Sequence, residues 1–229
     1  MATPAPRWLR GSMLDLLPPP FDSELLRLGR STQFDVGATL VEQGARESPV
    51  LVLVGGVVKM TRTARQDSPP MLISLRMPGE ALGVATAWLG KQSHVTYTAA
   101  KASNVVAIPR EAFTKFVRDH EPVMNALCAV LASEACLRDA SLAYATMGVE
   151  ARLIAFLGRQ QLLGGVSTPA GIKISLGLSQ ADFAAAIGAS QPAVAKALAK
   201  LRNAGVLTVG YRSVYIRKRL GPESPPVRR

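Results

Sequence analysis

Cysteine is nearly absent from this chain of 229 residues: Cys128 and Cys136 are the only two. Two thiols cannot build a disulfide scaffold, a four-cysteine zinc site or an iron–sulfur cluster. Histidine is as scarce, with His94 and His120 alone, so the commonest general base has little presence. The sequence contains no phosphate-cradling glycine-rich loop, no His/Glu metal motif and no G-x-S-x-G elbow. No enzymatic activity, metal or cofactor is therefore expected. Long apolar runs are missing too. The most continuous, at 50–58, contains Gly55 and Gly56 and falls far short of the roughly 20 residues of a membrane helix. The opening residues lack the apolar core of a signal peptide. The expected location is the cytoplasm, with both thiols reduced and no membrane partner.

Acidic residues are missing from the last third. Residues 151–229 hold twelve of the 27 basic side chains and two of the 16 acidic ones, Asp182 and Glu223, so nearly all of the net charge of +11 lies there. A basic segment of this kind points to a polyanion, most often nucleic acid; the plainer alternative is a merely soluble basic surface. What is plentiful is apolar: 48% of residues are hydrophobic and 19% charged, enough for a packed core and against disorder.

The pattern along the chain gives an α+β protein. Residues 1–20 are Pro-rich, end in Pro18-Pro19-Pro20 and read as a flexible arm with an apolar patch at 13–17. A short helix is expected at 21–28. β-rich pieces at 50–54, 57–61, 71–75, 95–99 and 105–108 then alternate with turn signals such as Gln43-Gly44, Gly55-Gly56 and Pro78-Gly79. That spacing suggests a jelly-roll-like β-roll over 21–120. A short helix at 110–118 follows. A long helix at 121–147 starts at Glu121-Pro122 and repeats Val123, Val130, Leu137 and Tyr144 every seven residues, with Leu127 four after the first. Such a seam pairs with its twin across a dimer, or else forms the core face of a single domain.

Residues 148–229 form the basic unit. Ser179 is a good N-cap, with Asp182 three residues on. Gly188 supplies a tight turn, Ser190 caps a second helix with Pro192 in its first turn, and Gly205 ends it. Val206–Val209 and Ser213–Ile216 read as a hairpin wing with Arg212 at its tip, and 173–176 as a third strand. A capped helix, a turn and a second capped helix match a winged helix-turn-helix better than an ordinary helical hairpin. In that motif the second helix enters the major groove. Its outward positions are expected to be Gln191, Ala193, Lys196, Lys200 and Asn203. Gln suits an adenine edge, and Lys suits guanine or phosphate. Ser179 and Gln180 are placed to reach the backbone of double-stranded DNA, with Ser190 and Arg212 in the same interface.

Three pieces now carry a resemblance that spans most of the chain. They are Val36-Gly37-Ala38-Thr39-Leu40-Val41-Glu42-Gln43-Gly44, Pro78-Gly79-Glu80-Ala81-Leu82-Gly83, and the helix-turn-helix from Leu178 to Leu198. In this order they resemble the Crp/Fnr family of bacterial transcription regulators. The resemblance implies a cyclic-nucleotide-binding-like β-roll, a dimerisation helix and a winged helix-turn-helix. It also implies a homodimer on a two-fold operator, with RNA polymerase as a further partner. Val123, Leu127, Val130, Leu137 and Tyr144 would form the dimer interface. Glu80, Gly83, Val84, Ser93, His94 and Asp139 would line the effector pocket.

The departures shape the expectation. cAMP-binding members carry a glutamate where Val84 stands. They hold the cyclic phosphate with an Arg-Ser or Arg-Thr pair where Ser93-His94 aligns. Asp139-Ala140 occupies the place of small hydroxyls on the long helix. A phosphate without its arginine loses a charge-assisted contact. The expected effector is therefore unknown and not cAMP, or absent; a larger nucleotide such as a cyclic dinucleotide is the alternative. His94 reads as a surface or pocket residue, with haem ligation beside Pro4 and Pro6 as the other reading. Cys128 and Cys136 read as buried small hydrophobes, with a thiol switch as the other. A reading of a different class, a β-roll interaction protein without regulatory DNA binding, would leave the basic helix-turn-helix unexplained.

Overall fold

The computed structural model describes residues 8–65, 68–210, 213–217 and 220. They fall into two compact units, one running to Pro69 and from Ile73 to Cys136, the other of Pro70–Leu72 and Leu137 onward. The chain opens with helices α1 (Met13–Leu16) and α2 (Phe21–Arg27). Strands β1 (Arg30–Phe34), β2 (Thr39–Val41), β3 (Val50–Gly55), β4 (Val58–Arg62), β5 (Met71–Arg76) and β6 (Ala81–Leu82) follow. Then come α3 (Val84–Leu89), β7 (Thr96–Ala99), β8 (Ser103–Ile108), α4 (Arg110–Asp119) and α5 (Glu121–Tyr144).

The roll is two four-stranded sheets, ordered β1-β8-β3-β6 and β2-β7-β4-β5. Strand β3 is buried on both faces, which is why Val50-Leu51-Val52-Leu53 shows no polar alternation. Leu51 and Leu53 meet Val58, Leu82, Val95, Tyr97 and Val105 inside the roll. Val50 and Val52 face a second cluster, built on Ile108, Phe113, Val117 and Val123. The Gln43-Gly44 turn is pinned by its glutamine. Gln43 Nε2 donates to the Thr63 carbonyl, and Gln43 Oε1 accepts from Thr63 N, both at 3.0 Å.

Two expectations fail here. From Trp8 to Pro20 the N-terminal segment is not a flexible arm. Met13, Leu14 and Leu17 are buried in the helix-side cluster. Leu9 N donates to the Pro78 carbonyl and Leu14 N to the Gly79 carbonyl, each at 3.0 Å. Gly79 adopts φ +99°, and a Cβ there would lie 2.2 Å from Ser12 Oγ, so the docked segment requires glycine. Prolines limit the backbone without preventing an apolar triplet from packing. The residues before Trp8, with Pro4 and Pro6, lie outside the described residues.

The second concerns Val123 and Leu127, two residues of the expected seam of α5. Val123 and Leu127 are buried in the core of their own roll, and Val130 packs partly against it. A seven-residue repeat marks the buried face of a helix without saying what covers it. The adjoining face, about 100° per residue round the helix, carries Cys128, Leu131, Ala135 and Leu142, all exposed. Leu131 is 43% and Leu142 70% accessible. Leu137, at 41%, is exposed on the same side as the buried repeat, and Tyr144 is half-buried there. Both cysteines, expected in a core, are exposed.

The second unit contains α6 (Val149–Gly164), β9 (Gly165–Thr168), β10 (Gly171–Ile174), α7 (Gln180–Ile187), α8 (Gln191–Asn203), β11 (Leu207–Gly210) and β12 (Ser213–Ile216). Its sheet runs β11-β12-β10-β9. The hairpin wing forms with Val209 opposite Val214, and a fourth strand, β9, joins the third that was expected. Leu153, Leu157, Val194, Leu201, Leu207 and Ile216 are its fully buried core. Phe156 meets Phe183 edge-on, with centroids 5.9 Å apart, tying α6 to α7.

Candidate nucleic-acid interface and effector pocket

Local chemistry sets both helices of the helix-turn-helix. Ser179 Oγ accepts from Asp182 N at 3.2 Å, and Asp182 Oδ2 accepts from Ser179 N at 2.8 Å. This reciprocal box satisfies two amides at the start of α7. Gly188 ends α7 in the left-handed region at φ 60°, ψ 46°. Ser190 then caps α8 through Ala193 N at 3.4 Å. The start of α8 is thus a fixed and exposed end. Ser190, Gln191 and Lys196 are all exposed, as are Ser179 and Gln180 at the start of α7.

Two expected positions differ. Ala193 is half-buried, whereas Ala195 and Arg202 are exposed on α8. Lys200 is exposed but engaged: its Nζ lies 2.6 Å from Glu150 Oε2 on α6. Arg212, expected at the wing tip, lies outside the described residues. Sequence reasoning missed Arg152. Its Nη1 donates to the carbonyls of Ile187 at 2.6 Å and Gly188 at 3.3 Å, closing the C-terminus of α7 where a cation also suits the helix dipole. Contacts 35 and 36 residues apart leave no local signal.

In the roll, Gly83 takes φ +81° at the start of α3, and its N–H donates to Tyr97 Oη at 3.3 Å. A cleft beside it is walled by Val41, Pro49, Leu51, Leu82, Ser93 and Tyr97, and it leaves no room for a water-sized sphere. Its described lining residues are all uncharged. Ser93 is buried, and its Oγ donates to the Val95 carbonyl at 2.7 Å. Val84 is buried, His94 is exposed, and Asp139 is exposed in the second unit. The structure therefore brings Gly83 and Ser93 together at the cleft, whose lining includes neither Val84 nor His94.

Glu80 belongs to a different constellation. Arg76 on β5 pairs with Glu80 at 3.1 Å and with Glu134 on α5. Glu80 Oε2 also accepts from Met77 N at 2.5 Å. Burial draws the Arg76 guanidinium towards neutrality, yet Glu80 and Glu134 outweigh it and raise its pKa. Burial pushes the Glu80 carboxyl up against the pull of Arg76. It does the same to the Tyr97 phenol. Arg76 and Glu134 are 58 residues apart, so neither composition nor spacing announced the pair. Among the described residues no cluster of His, Cys, Asp and Glu could hold a metal ion, and no helix is long and apolar enough to cross a membrane.

Comparison with known proteins defines the class. Residues 31–120 match the cyclic nucleotide-binding domain, and residues 151–221 match the Crp-like helix-turn-helix domain. The chain is thus a DNA-binding transcription regulator of the Crp-like type. It belongs to the Crp/Fnr family. It is 28% identical to a protein described as a global nitrogen regulator of Synechococcus elongatus, over 77% of this chain and 81% of that one. Its fold is similar to a c-di-GMP responsive global regulator, CLP, of Xanthomonas campestris (TM-score 0.76, 14% identity, 88% and 100% of the two chains). It is also similar to a CooA mutant from Carboxydothermus hydrogenoformans (TM-score 0.72, 18% identity, 93% and 94%).

Proposed function

We propose that this protein is a homodimeric regulator that reads a two-fold DNA site with α8 and does not respond to cAMP. The observation that carries the reading is the capped, exposed start of α8, with Gln191 and Lys196 on its outer face. Gln191 makes the base-edge contact and Lys196 a guanine or phosphate contact. Both donors of Ser179 are held by Asp182 Oδ2, so Gln180 and Ser190 donate to the DNA backbone. The two copies pair through the exposed α5 face of Cys128, Leu131, Ala135 and Leu142, since an apolar stripe on a long helix is covered when a twin lies along it. Against cAMP stands the uncharged lining of the cleft, which offers a cyclic phosphate no cation.

The test is selection from a random duplex library, followed by binding measured against salt. A recovered two-fold site, with half-sites about 34 Å apart and a steep salt slope, supports the reading. Recovery of no enriched sequence, with affinity indifferent to salt, overturns it.

A further inference from the structure

Glu150 lies in the first turn of α6, and its carboxylate does not serve that helix alone. One oxygen, Oε2, holds the ammonium of Lys200 at 2.6 Å. The other, Oε1, is buried and finds no partner among the described residues. The glutamate side chain is 18% accessible and the lysine 47%. Lys200 stands four residues after Lys196, so both rise from one face of α8, a turn apart. No ion pair to Lys196 occurs among the described residues, and it is exposed.

We propose that Glu150 holds Lys200 off the DNA phosphates, and so sets how strongly this protein binds duplexes of any sequence. The proposal rests on α8 being the DNA-contacting helix. Moving Lys200 onto a phosphate would leave a mostly buried carboxylate with no cation, an arrangement proteins avoid because the remaining charge is poorly solvated. Lys196 carries no such penalty. The recognition helix therefore presents two lysines on one face and spends one of them. Non-specific affinity grows with every phosphate neutralised. Withholding Lys200 lowers the background against which the base contact of Gln191 has to discriminate.

The experiment measures binding of the full chain to a short random-sequence duplex by fluorescence anisotropy, over about 50 to 200 mM salt. Glu150→Gln should steepen the log–log salt slope by about 0.9, the value of one phosphate contact, and tighten binding about fivefold at physiological salt. Lys200→Gln in the otherwise native chain should leave the slope unchanged. The double variant should return to the native slope. Lys200→Gln lowering the slope by about 0.9 would show Lys200 already on a phosphate and overturn the proposal, whatever Glu150→Gln does to folding. A Glu150→Gln protein that melts like the native one and keeps its slope would also overturn it. A native protein with no salt dependence at all would remove the DNA-binding reading itself, which is a separate and recognisable failure.

Discussion

Leu127 and Leu142 lie on the same helix, and they should fail in different ways when altered. Leu127 is 3% accessible and packs in the cluster with Phe113, Phe116 and Val117. Leu127→Ala deletes three carbons at about 0.8 kcal/mol each. The cavity left behind adds to this, for a total of about 2–5 kcal/mol. Leu142 is 70% accessible, so Leu142→Glu should change the folding of a single chain by about 0.5 kcal/mol or less. In a paired helix seam, however, the same carboxylate would be buried without a partner and should prevent association. Urea unfolding measured at several protein concentrations separates the two effects, because only dimer stability depends on concentration. Light scattering then gives the mass. Leu127→Ala should lower the unfolding midpoint at every concentration; Leu142→Glu should yield a folded monomer. A Leu127→Ala protein with native stability and monomeric mass would put that residue back in the dimer seam and refute this assignment of the faces. A Leu142→Glu protein that stays fully dimeric would refute pairing through the exposed adjoining face.

Arg152→Met removes two hydrogen bonds from a charged donor to the turn between α7 and α8 and should destabilise the second unit by about 2–3 kcal/mol; Arg152→Lys should recover part of the loss, and unchanged melting in both variants would count against the clamp. Gln191→Ala should cost about 1–3 kcal/mol at one base pair per half-site and relax sequence preference there, which a selection experiment reads directly; an unchanged preference would move base reading elsewhere. The folded-state pKa of Glu80 is raised, so the folded chain holds that proton to higher pH than the unfolded chain does. Its contribution is therefore present below the unfolded value of about 4.3 and is lost as pH rises through the folded value. Glu80→Gln should flatten stability against pH in that window, and an identical profile for both proteins would contradict the burial argument. Calorimetry with cAMP at micromolar concentration should show no binding; a micromolar dissociation constant would mean that the cleft opens to admit it.

Where one local rule decided an element, the sequence displayed it. The Ser179–Asp182 box, the Gly188 turn and the Ser190 cap are short-range chemistry, and all three occur as read. The apolar strands at the centre of the roll were legible for the same reason. Strand β1 was not, because Arg30–Phe34 is an almost wholly exposed edge strand with no apolar alternation. Nor were β2 and β6, at three and two residues too short to carry a period. Helix α3 spans only six residues between Gly83 and Gly90, both left-handed, too few to carry a helical period. The Met13, Leu14 and Leu17 triplet was visible as apolar, but its docking site at Pro78 and Gly79 is a tertiary fact.

The long-range contacts also change what the visible residues mean. Taken alone, Arg76 on β5 is a cation that invites an anion. In the fold two carboxylates already hold it, Glu80 from the following turn and Glu134 from α5. An incoming anion would have to displace one of them, and the loss would fall on a group that is itself poorly solvated. Lys200 follows the same logic in the second unit: its position on α8 suggests a phosphate, and Glu150 has taken it. In both places a cation with an evident external use is spent internally. Counting positive charge along the chain therefore overstates what is available to bind. Each unit has given up one cation to fix its own helix in place, and the exposed end of α8, where Lys196 and Gln191 have no such obligation among the described residues, is what remains for recognition.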